Sequence, residues 1–483
     1  MTTRTLRSFL LLVSFFGAHL ANGQLIKDSL IADFDFDDID SIFTAAGVFP
    51  SLVSQDYEVE VYRITYSTPH PQGGTTTATG ALAVPKGKAC SPIMVYAHGT
   101  IAERFDVPSY LSTESVIGII SATSGYLVVM PDYLGLGDGP GFHPYVHAES
   151  EATATLDMLR ASRTFCTNQQ IGYSEQLFLT GYSQGGHAIT AAHQMMQEQF
   201  SNEFQVTASA PMAGPHDLSG VMQDLMTSNN AYDQPGYAPY IVLGYQEAYG
   251  NIYNNLSDVF LAPYDNIIAN FLNGQFDLSA VNSQLPAVPR DMFQASWIND
   301  FQNDSLHPMR VALRENNTYN WAPADSMRLY HCSGDNIVPY QNSTVAFNNF
   351  VANGATTVSQ IDVSATLDHG PCAAIALLAG KIWFDTMVND SCDPVVSTPD
   401  VSVAIPAVKV FPNPTKGAIQ ITGYPNSSIP VTLRVYNLQG LLLHQTSVSG
   451  NNPEVQLEHL PVGMYLVEVA GEAFVYRQKV LRQ

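Results

Sequence analysis

Between about residues 90 and 390, short apolar runs alternate with longer stretches of helical period. The runs at 93–97, 126–130, 177–180, 206–210 and 327–331 are too short for helices and are predicted as strands. A further strand is expected at 359–363. The stretches at 149–165 and 184–200 repeat small or apolar residues at helical spacing, with Ala152, Leu156 and Leu159 on one stripe of the first. A last amphipathic helix is expected at 371–387. Strands apolar along their whole length are buried on both faces, and alternating them with helices predicts an α/β fold with a mainly parallel sheet. Upstream, 57–66 and 77–84 alternate in twos and are expected as antiparallel edge strands.

Two segments break this rhythm. Residues 217–326 hold Tyr232, Tyr237, Tyr240, Tyr245, Tyr249, Tyr253 and Tyr264 in Asn-rich surroundings, and are predicted to form a helical cap inserted over the sheet. From 405 to 483 the pattern becomes short strands of period two at 418–421, 431–436, 455–457 and 464–469. Asn413-Pro414, Lys416-Gly417, Gln439-Gly440 and Val462-Gly463 punctuate them, predicting a small β-sandwich. A Pro/Ser-rich linker at 391–404 separates it from a body of 24–390. At the start, Arg4 and Arg7 precede the apolar run 9–16, and small residues follow at Ala21 and Gly23. Residues 1–23 therefore read as a secretory signal peptide.

Composition narrows the function. Of 483 residues, 46% are hydrophobic and 13% charged, enough for a large core. Lys and Arg number 20 against 43 Asp and Glu, a net charge of −23, which argues against nucleic acid as a partner. No apolar run reaches membrane-spanning length, so the mature chain is expected to be exported without a transmembrane segment. His143, His147, Glu149 and Glu151 invite a metal reading, but Pro144 lies inside the spacing and no HExxH is present. No metal and no organic cofactor are predicted. Asp33, Asp35, Asp37, Asp38 and Asp40 lack the glycine and terminal glutamate of a calcium loop and read as the start of a helix. The five cysteines are compatible with export. Strand-end topology pairs Cys90 with Cys166 and Cys332 with Cys372, leaving Cys392 single.

The chemistry centres on Gly181-Tyr182-Ser183-Gln184-Gly185, a G-x-S-x-G pattern between a predicted strand and a predicted helix. Such a turn raises the Ser183 hydroxyl above the sheet edge as a nucleophile. A serine needs a base, and the base needs an acid to orient it. Asp335, in Ser333-Gly334-Asp335, and His369, in Asp368-His369-Gly370, each follow a predicted strand, on the edge that carries Ser183. The backbone N–H groups of Gln184 and Thr100 are the candidate oxyanion donors, Thr100 from the His98-Gly99-Thr100 turn. Tyr182, Tyr245 and Tyr249 are the candidate substrate contacts.

These motifs, with Met130-Pro131-Asp132-Tyr133-Leu134-Gly135-Leu136-Gly137, resemble the α/β-hydrolase superfamily over roughly residues 50–390. Within it the resemblance is to secretory lipases and esterases of the fungal lipase A type. It implies hydrolysis of a small-molecule or lipid ester beneath a cap. Serine peptidases of the same fold share the Ser-x-Gly-Gly pattern, so a secreted aminopeptidase or oligopeptidase is the alternative enzyme. An inactive hydrolase fold used as a surface-binding module is the alternative outside catalysis. The tail resembles type IX secretion sorting domains through Val410-Phe411-Pro412-Asn413-Pro414, Tyr436-Asn437-Leu438-Gln439-Gly440 and Leu460-Pro461-Val462-Gly463-Met464-Tyr465. That resemblance implies export to the cell surface or beyond, with outer-membrane secretion machinery as the partner of 405–483.

Overall fold

The protein is described from a computed structural model, over residues 23–48, 53–389, 409–422, 430–437, 442–449, 453–470 and 475–483. The signal peptide expected at 1–23 lies, but for Gly23, outside these residues, as do Cys392 and, but for Asn389, the segment 389–404. The chain forms two compact units, divided between Val395 and Val396.

The first unit is built on a nine-stranded sheet. Its strands are β1 (Leu25–Phe34), β2 (Val59–Pro69), β3 (Thr75–Pro85), β4 (Ser91–Ala97), β5 (Leu127–Pro131), β6 (Tyr173–Tyr182), β7 (Val206–Met212), β8 (Ser326–His331) and β9 (Val358–Asp362). Their order is β1-β2-β3-β5-β4-β6-β7-β8-β9. The strands from β5 to β9 in that order run parallel, and β1, β2 and β3 join them antiparallel. The apolar runs are continuous because successive side chains enter two different cores. Ile93, Val95, Leu127, Val129, Leu177 and Leu179 face one side, packed with α3 (Ala148–Gln169) and α4 (Gln184–Gln199). Met94, Tyr96, Val128, Met130 and Phe178 face the other, packed with α1 (Phe36–Ala46), α2 (Ser115–Thr123) and α13 (His369–Asp385). α12 (Gln341–Ala352) covers Met327 and Leu329 of β8.

Asp35 caps α1: its carboxylate accepts the Asp38 N–H at 3.0 Å, and Asp38 returns the bond to the Asp35 N–H. β1 escapes a reading by alternation. It is one of the sheet's two outer strands and exposes about half of its residues, so Leu25-Ile26-Lys27-Asp28 shows no regular pattern.

Between β7 and β8 the chain leaves the sheet and forms α5 (Gln223–Thr227), α6 (Tyr237–Tyr249), α7 (Leu256–Val259), α8 (Tyr264–Phe271), α9 (Leu278–Asn282), α10 (Ala295–Asn303) and α11 (Pro308–Glu315). These helices bury their own apolar cluster, including Val242, Tyr245, Phe260, Trp297 and Phe301. Tyr145 and Val146, from the loop between β5 and α3, join that cluster.

The second unit is all β. One sheet holds β10 (Lys409–Phe411), β11 (Ala418–Thr422) and β14 (Glu454–Gln456). The other holds β13 (Leu442–Val448), β12 (Val431–Tyr436), β15 (Gly463–Ala470) and β16 (Val475–Arg482), in that order. Ile419 and Ile421 of the first sheet share one core with Leu433, Val467 and Val469 of the second, as a two-layer sandwich requires.

The cysteines correct one expectation. Cys332 and Cys372 are bonded, with Cα atoms 6.1 Å apart. Cys90 is also in a disulfide, but Cys166 is not its partner; Cys166 is a free, buried thiol. Topology does bring both to the same end of the sheet, but to opposite faces. Cys166 packs with Leu159, Phe165 and Leu177, whereas Cys90 lines a cleft with Tyr126, Asp385 and Val388. Burial pushes the Cys166 thiol up to about 12, so almost none of the reactive thiolate exists at neutral pH. Cys166 is therefore expected to resist alkylation in the native protein and to react fully in denaturant, as read by mass-spectrometric peptide mapping.

Candidate active site

β6 ends at Tyr182 and α4 begins at Gln184, so one residue, Ser183, makes the whole turn. Its backbone sits at φ 59°, ψ −121°, a conformation that L-residues rarely adopt and that must be held by its surroundings. Glycines make the holding possible. A Cβ on Gly185 would overlap the Ala97 carbonyl oxygen at the end of β4, and one on Gly186 would meet the Met212 carbonyl at the end of β7. The absence of side chains lets α4 start hard against two strand ends, and Ser183 N–H bonds Met212 O at 2.9 Å.

Parallel strands place Ser183, Asp335 and His369 at the same sheet edge, after β6, β8 and β9. His369 Nε2 lies 2.9 Å from Ser183 Oγ, and its Nδ1 lies 2.6 Å from Asp335 Oδ2. Asp335 Oδ1 accepts the backbone N–H groups of Ile337 at 2.9 Å and Val338 at 2.8 Å. Burial alone would raise the Asp335 carboxyl, but hydrogen bonds from His331 and His369 outweigh it and hold the group well below the ordinary carboxylate range. The Cys332–Cys372 bridge ties the segment leading to Asp335 to the first turn of the helix that starts at His369.

The remaining residues proposed from sequence fall into two groups. Gln184 begins α4, where first-turn N–H groups have no acceptor within the helix. The His98-Gly99-Thr100 turn packs beside the serine: a Cβ on Gly99 would lie 3.9 Å from Ser183 Cβ. The Thr100 hydroxyl is 2.9 Å from the Tyr145 hydroxyl. Tyr182 does not face open space. Its ring lies 4.9 Å from that of His369, and its hydroxyl donates to the His369 carbonyl at 2.6 Å. Tyr245 is fully buried, and its hydroxyl donates to Val146 O at 3.2 Å. The Tyr249 hydroxyl accepts from Asn316 Nδ2 at 2.8 Å. Both pack the insertion and leave the space above Ser183 to other residues.

That space is a narrow cavity lined by Ser183, Tyr145, Tyr237, Leu218, Met226 and Ile241 among others. About 50 Å³ of it can hold the centre of a water molecule, a slot rather than a chamber. Its walls are almost wholly apolar. Tyr232 and Tyr237 came from the tyrosine-rich segment noted in the sequence, but nothing in their spacing separated them from Tyr245 and Tyr249.

A buried polar network underlies Ser183. Gln184 Nε2 donates to Glu151 Oε1 at 2.8 Å and to His143 Nε2 at 2.7 Å. Glu151 Oε2 is 2.6 Å from His187 Nδ1, and His187 Nε2 donates to Asn316 O at 2.8 Å. Burial pushes His143 down to about 3, so it is neutral and accepts from Gln184 while its Nδ1 donates to Leu134 O. His143 and Glu151 therefore hold the side chain of the residue that follows Ser183.

A family model for secretory lipases matches residues 111–370, and a model for a secretion system C-terminal sorting domain matches residues 409–483. A secreted triacylglycerol lipase of Malassezia furfur is 20% identical over 391 residues, 74% of this chain and 69% of that protein. The rice cell wall degrading esterase LipA of Xanthomonas oryzae is 29% identical, with a TM-score of 0.65 over 76% of this chain and 96% of its own. Lipase A of Candida antarctica shares the fold at 19% identity, with a TM-score of 0.56 over 72% of this chain and 78% of its own.

Gly185→Ala tests the turn. The added methyl meets backbone that cannot rotate away, and is expected to cost about 1–3 kcal/mol or more. Urea unfolding followed by tryptophan fluorescence reads the first unit alone, because Trp297, Trp321 and Trp383 all lie in it.

Proposed function

Because the chain belongs to the secretory lipase family, we propose that it hydrolyses esters through Ser183, His369 and Asp335 by way of an acyl-enzyme. The observation that carries the reading is the unbroken line of contacts from Asp335 Oδ2 through His369 to Ser183 Oγ, ending at an apolar slot. Ser183 Oγ attacks the ester carbonyl carbon while its proton passes to His369 Nε2. The Nδ1–H of His369 goes on donating to Asp335, whose charge steadies the imidazolium. The oxyanion forms against the backbone N–H groups of Gln184 and Thr100. When the tetrahedral centre collapses, the C–O bond to the alcohol breaks and His369 returns the proton to the leaving oxygen. Water then attacks the acyl-serine and gives its proton to His369; as the bond from the acyl carbon to Ser183 Oγ breaks, His369 passes that proton to the serine and the acid leaves.

The slot points to the substrate's acyl part. Tyr145, Leu218, Met226 and Ile241 offer it apolar surface, which favours a hydrocarbon chain over a charged peptide. The Malassezia relative is a secreted triacylglycerol lipase and the Xanthomonas relative a rice cell wall degrading esterase. Both descriptions fit an extracellular ester, and this chain is a secreted or cell-surface protein with a C-terminal sorting domain. In this reading 1–23 directs export from the cytoplasm, 24–390 carries the chemistry with its cap at 217–326, and 405–483 engages the outer-membrane secretion machinery after a linker at 391–404.

Ser183→Ala is expected to lower kcat by several orders of magnitude while leaving the urea midpoint within experimental error, because alanine fits the same turn. Hydrolysis of p-nitrophenyl esters at near wild-type rate by that variant would contradict the assignment. Across a series of p-nitrophenyl acyl lengths, Met226→Ala is expected to move the kcat/KM optimum toward longer chains, whereas Tyr245→Phe leaves it in place.

A further inference from the structure

Asp335 serves two histidines. Besides His369, His331 Nε2 lies 3.1 Å from Asp335 Oδ2 and 2.9 Å from the Val338 carbonyl oxygen. A carboxylate and a carbonyl only accept, so this nitrogen carries the hydrogen. On the other side of the ring, Nδ1 lies 2.8 Å from Ser343 Oγ. The acid is thus shared by two serine–histidine arms. One arm, Ser183–His369, reaches the cavity; the other, Ser343–His331, is sealed, its residues 1% and 0% exposed.

We propose that His331 is a positioning residue that, acting through Asp335, sets the proton affinity of His369 and hence the lower pH bound of ester hydrolysis. The inference rests on the Ser183–His369–Asp335 reading above. Oδ2 of the carboxylate is held by two N–H donors and Oδ1 by two more. Four donors fix its plane and disperse its charge, so it draws less on the imidazolium that forms at His369. Loss of the His331 donor concentrates that charge on His369 and raises its proton affinity. The base then stays protonated to higher pH.

The neighbouring groups do not supply the effect. Tyr182, Tyr232, Tyr237 and Tyr340 face the pair, and burial raises each of them, so they stay neutral through the working range. His216 is pushed down to about 3 by burial and is neutral. Asp362, which accepts from Ser333, is lowered and stays charged. Asp368 and Asp233, both bonded to Asn336, are the same in every variant compared.

The test is the pH dependence of kcat/KM for p-nitrophenyl butyrate, measured on the full secreted chain from about pH 5 to pH 9. His331→Phe keeps the ring and removes the donor. Its acidic limb is expected to move up by about half a unit to one unit, with the plateau down about tenfold. KM stays within about twofold, because His331 does not line the cavity. His331→Gln, whose amide N–H reaches the position of Nε2–H, is expected to bring the limb back toward wild type. Ser343→Ala, which frees the far side of the ring, is expected to give an intermediate shift. A His331→Phe profile that superimposes on wild type overturns the proposal, as does a His331→Gln limb displaced as far as that of His331→Phe. If His331→Phe does not fold, Ser343→Ala decides: a displaced limb supports the proposal and a superimposed one overturns it. Absence of activity in the wild-type chain, or its survival in Ser183→Ala, instead defeats the reading on which the proposal stands.

Discussion

The closeness of α4 to the ends of β4 and β7 is the constraint on which the rest depends. Gly185 and Gly186 let the helix begin where any side chain would strike backbone, and that contact forces Ser183 into its positive-φ turn. The residues of the proposed site are then placed relative to the serine. The parallel order of β6, β8 and β9 brings Asp335 and His369 to the same rim, and the Cys332–Cys372 bond keeps their two segments together. Below the turn, Glu151 and His143 grip the Gln184 side chain, so the first residue of α4 is held from the core as well as by its backbone. Strain at one residue is tolerated because several independent contacts oppose its relief.

Much of this was legible in the sequence, for a physical reason. Strands buried on both faces must be apolar throughout, so the runs at β4, β5 and β6 stood out, and the turn after β6 carried its glycines openly. The order serine, acid, histidine followed from those strands. What escaped was governed by contacts the sequence does not display. β1 is half exposed and irregular. In the tail, β13 turns most of its residues outward, and β16, at the opposite edge of the same sheet, follows too few signals to be anticipated. Tyr182, Tyr245 and Tyr249 are placed by the partners of their hydroxyls, on His369, Val146 and Asn316, which no spacing rule specifies. Cys90 and Cys166 reach the same end of the sheet but opposite faces, a distinction that strand polarity alone does not draw.

Several buried histidines lie around the proposed site. His98, His143, His187, His216 and His331 are all essentially inaccessible, and each has a ring hydrogen bond. Burial holds His143 and His216 neutral, so each can accept and donate without carrying net charge into the core. The acidic surface of the chain is a separate matter of solvation; the site's own electrostatics come from a few carboxylates, Asp335 and Glu151 among them, whose bonds are nearly all internal.

The insertion between β7 and β8 has its own apolar cluster, which Ala102, Tyr145 and Val146 join from outside. Such modular packing separates two kinds of evolutionary freedom. If the cavity holds the acyl group as proposed, substitutions around Met226, Leu218 or Ile241 would alter which acyl groups fit without touching the glycine-bound turn, where added side chains meet backbone. A lineage with this architecture can diversify its diet of esters by drift in one module, at little risk to the reaction itself.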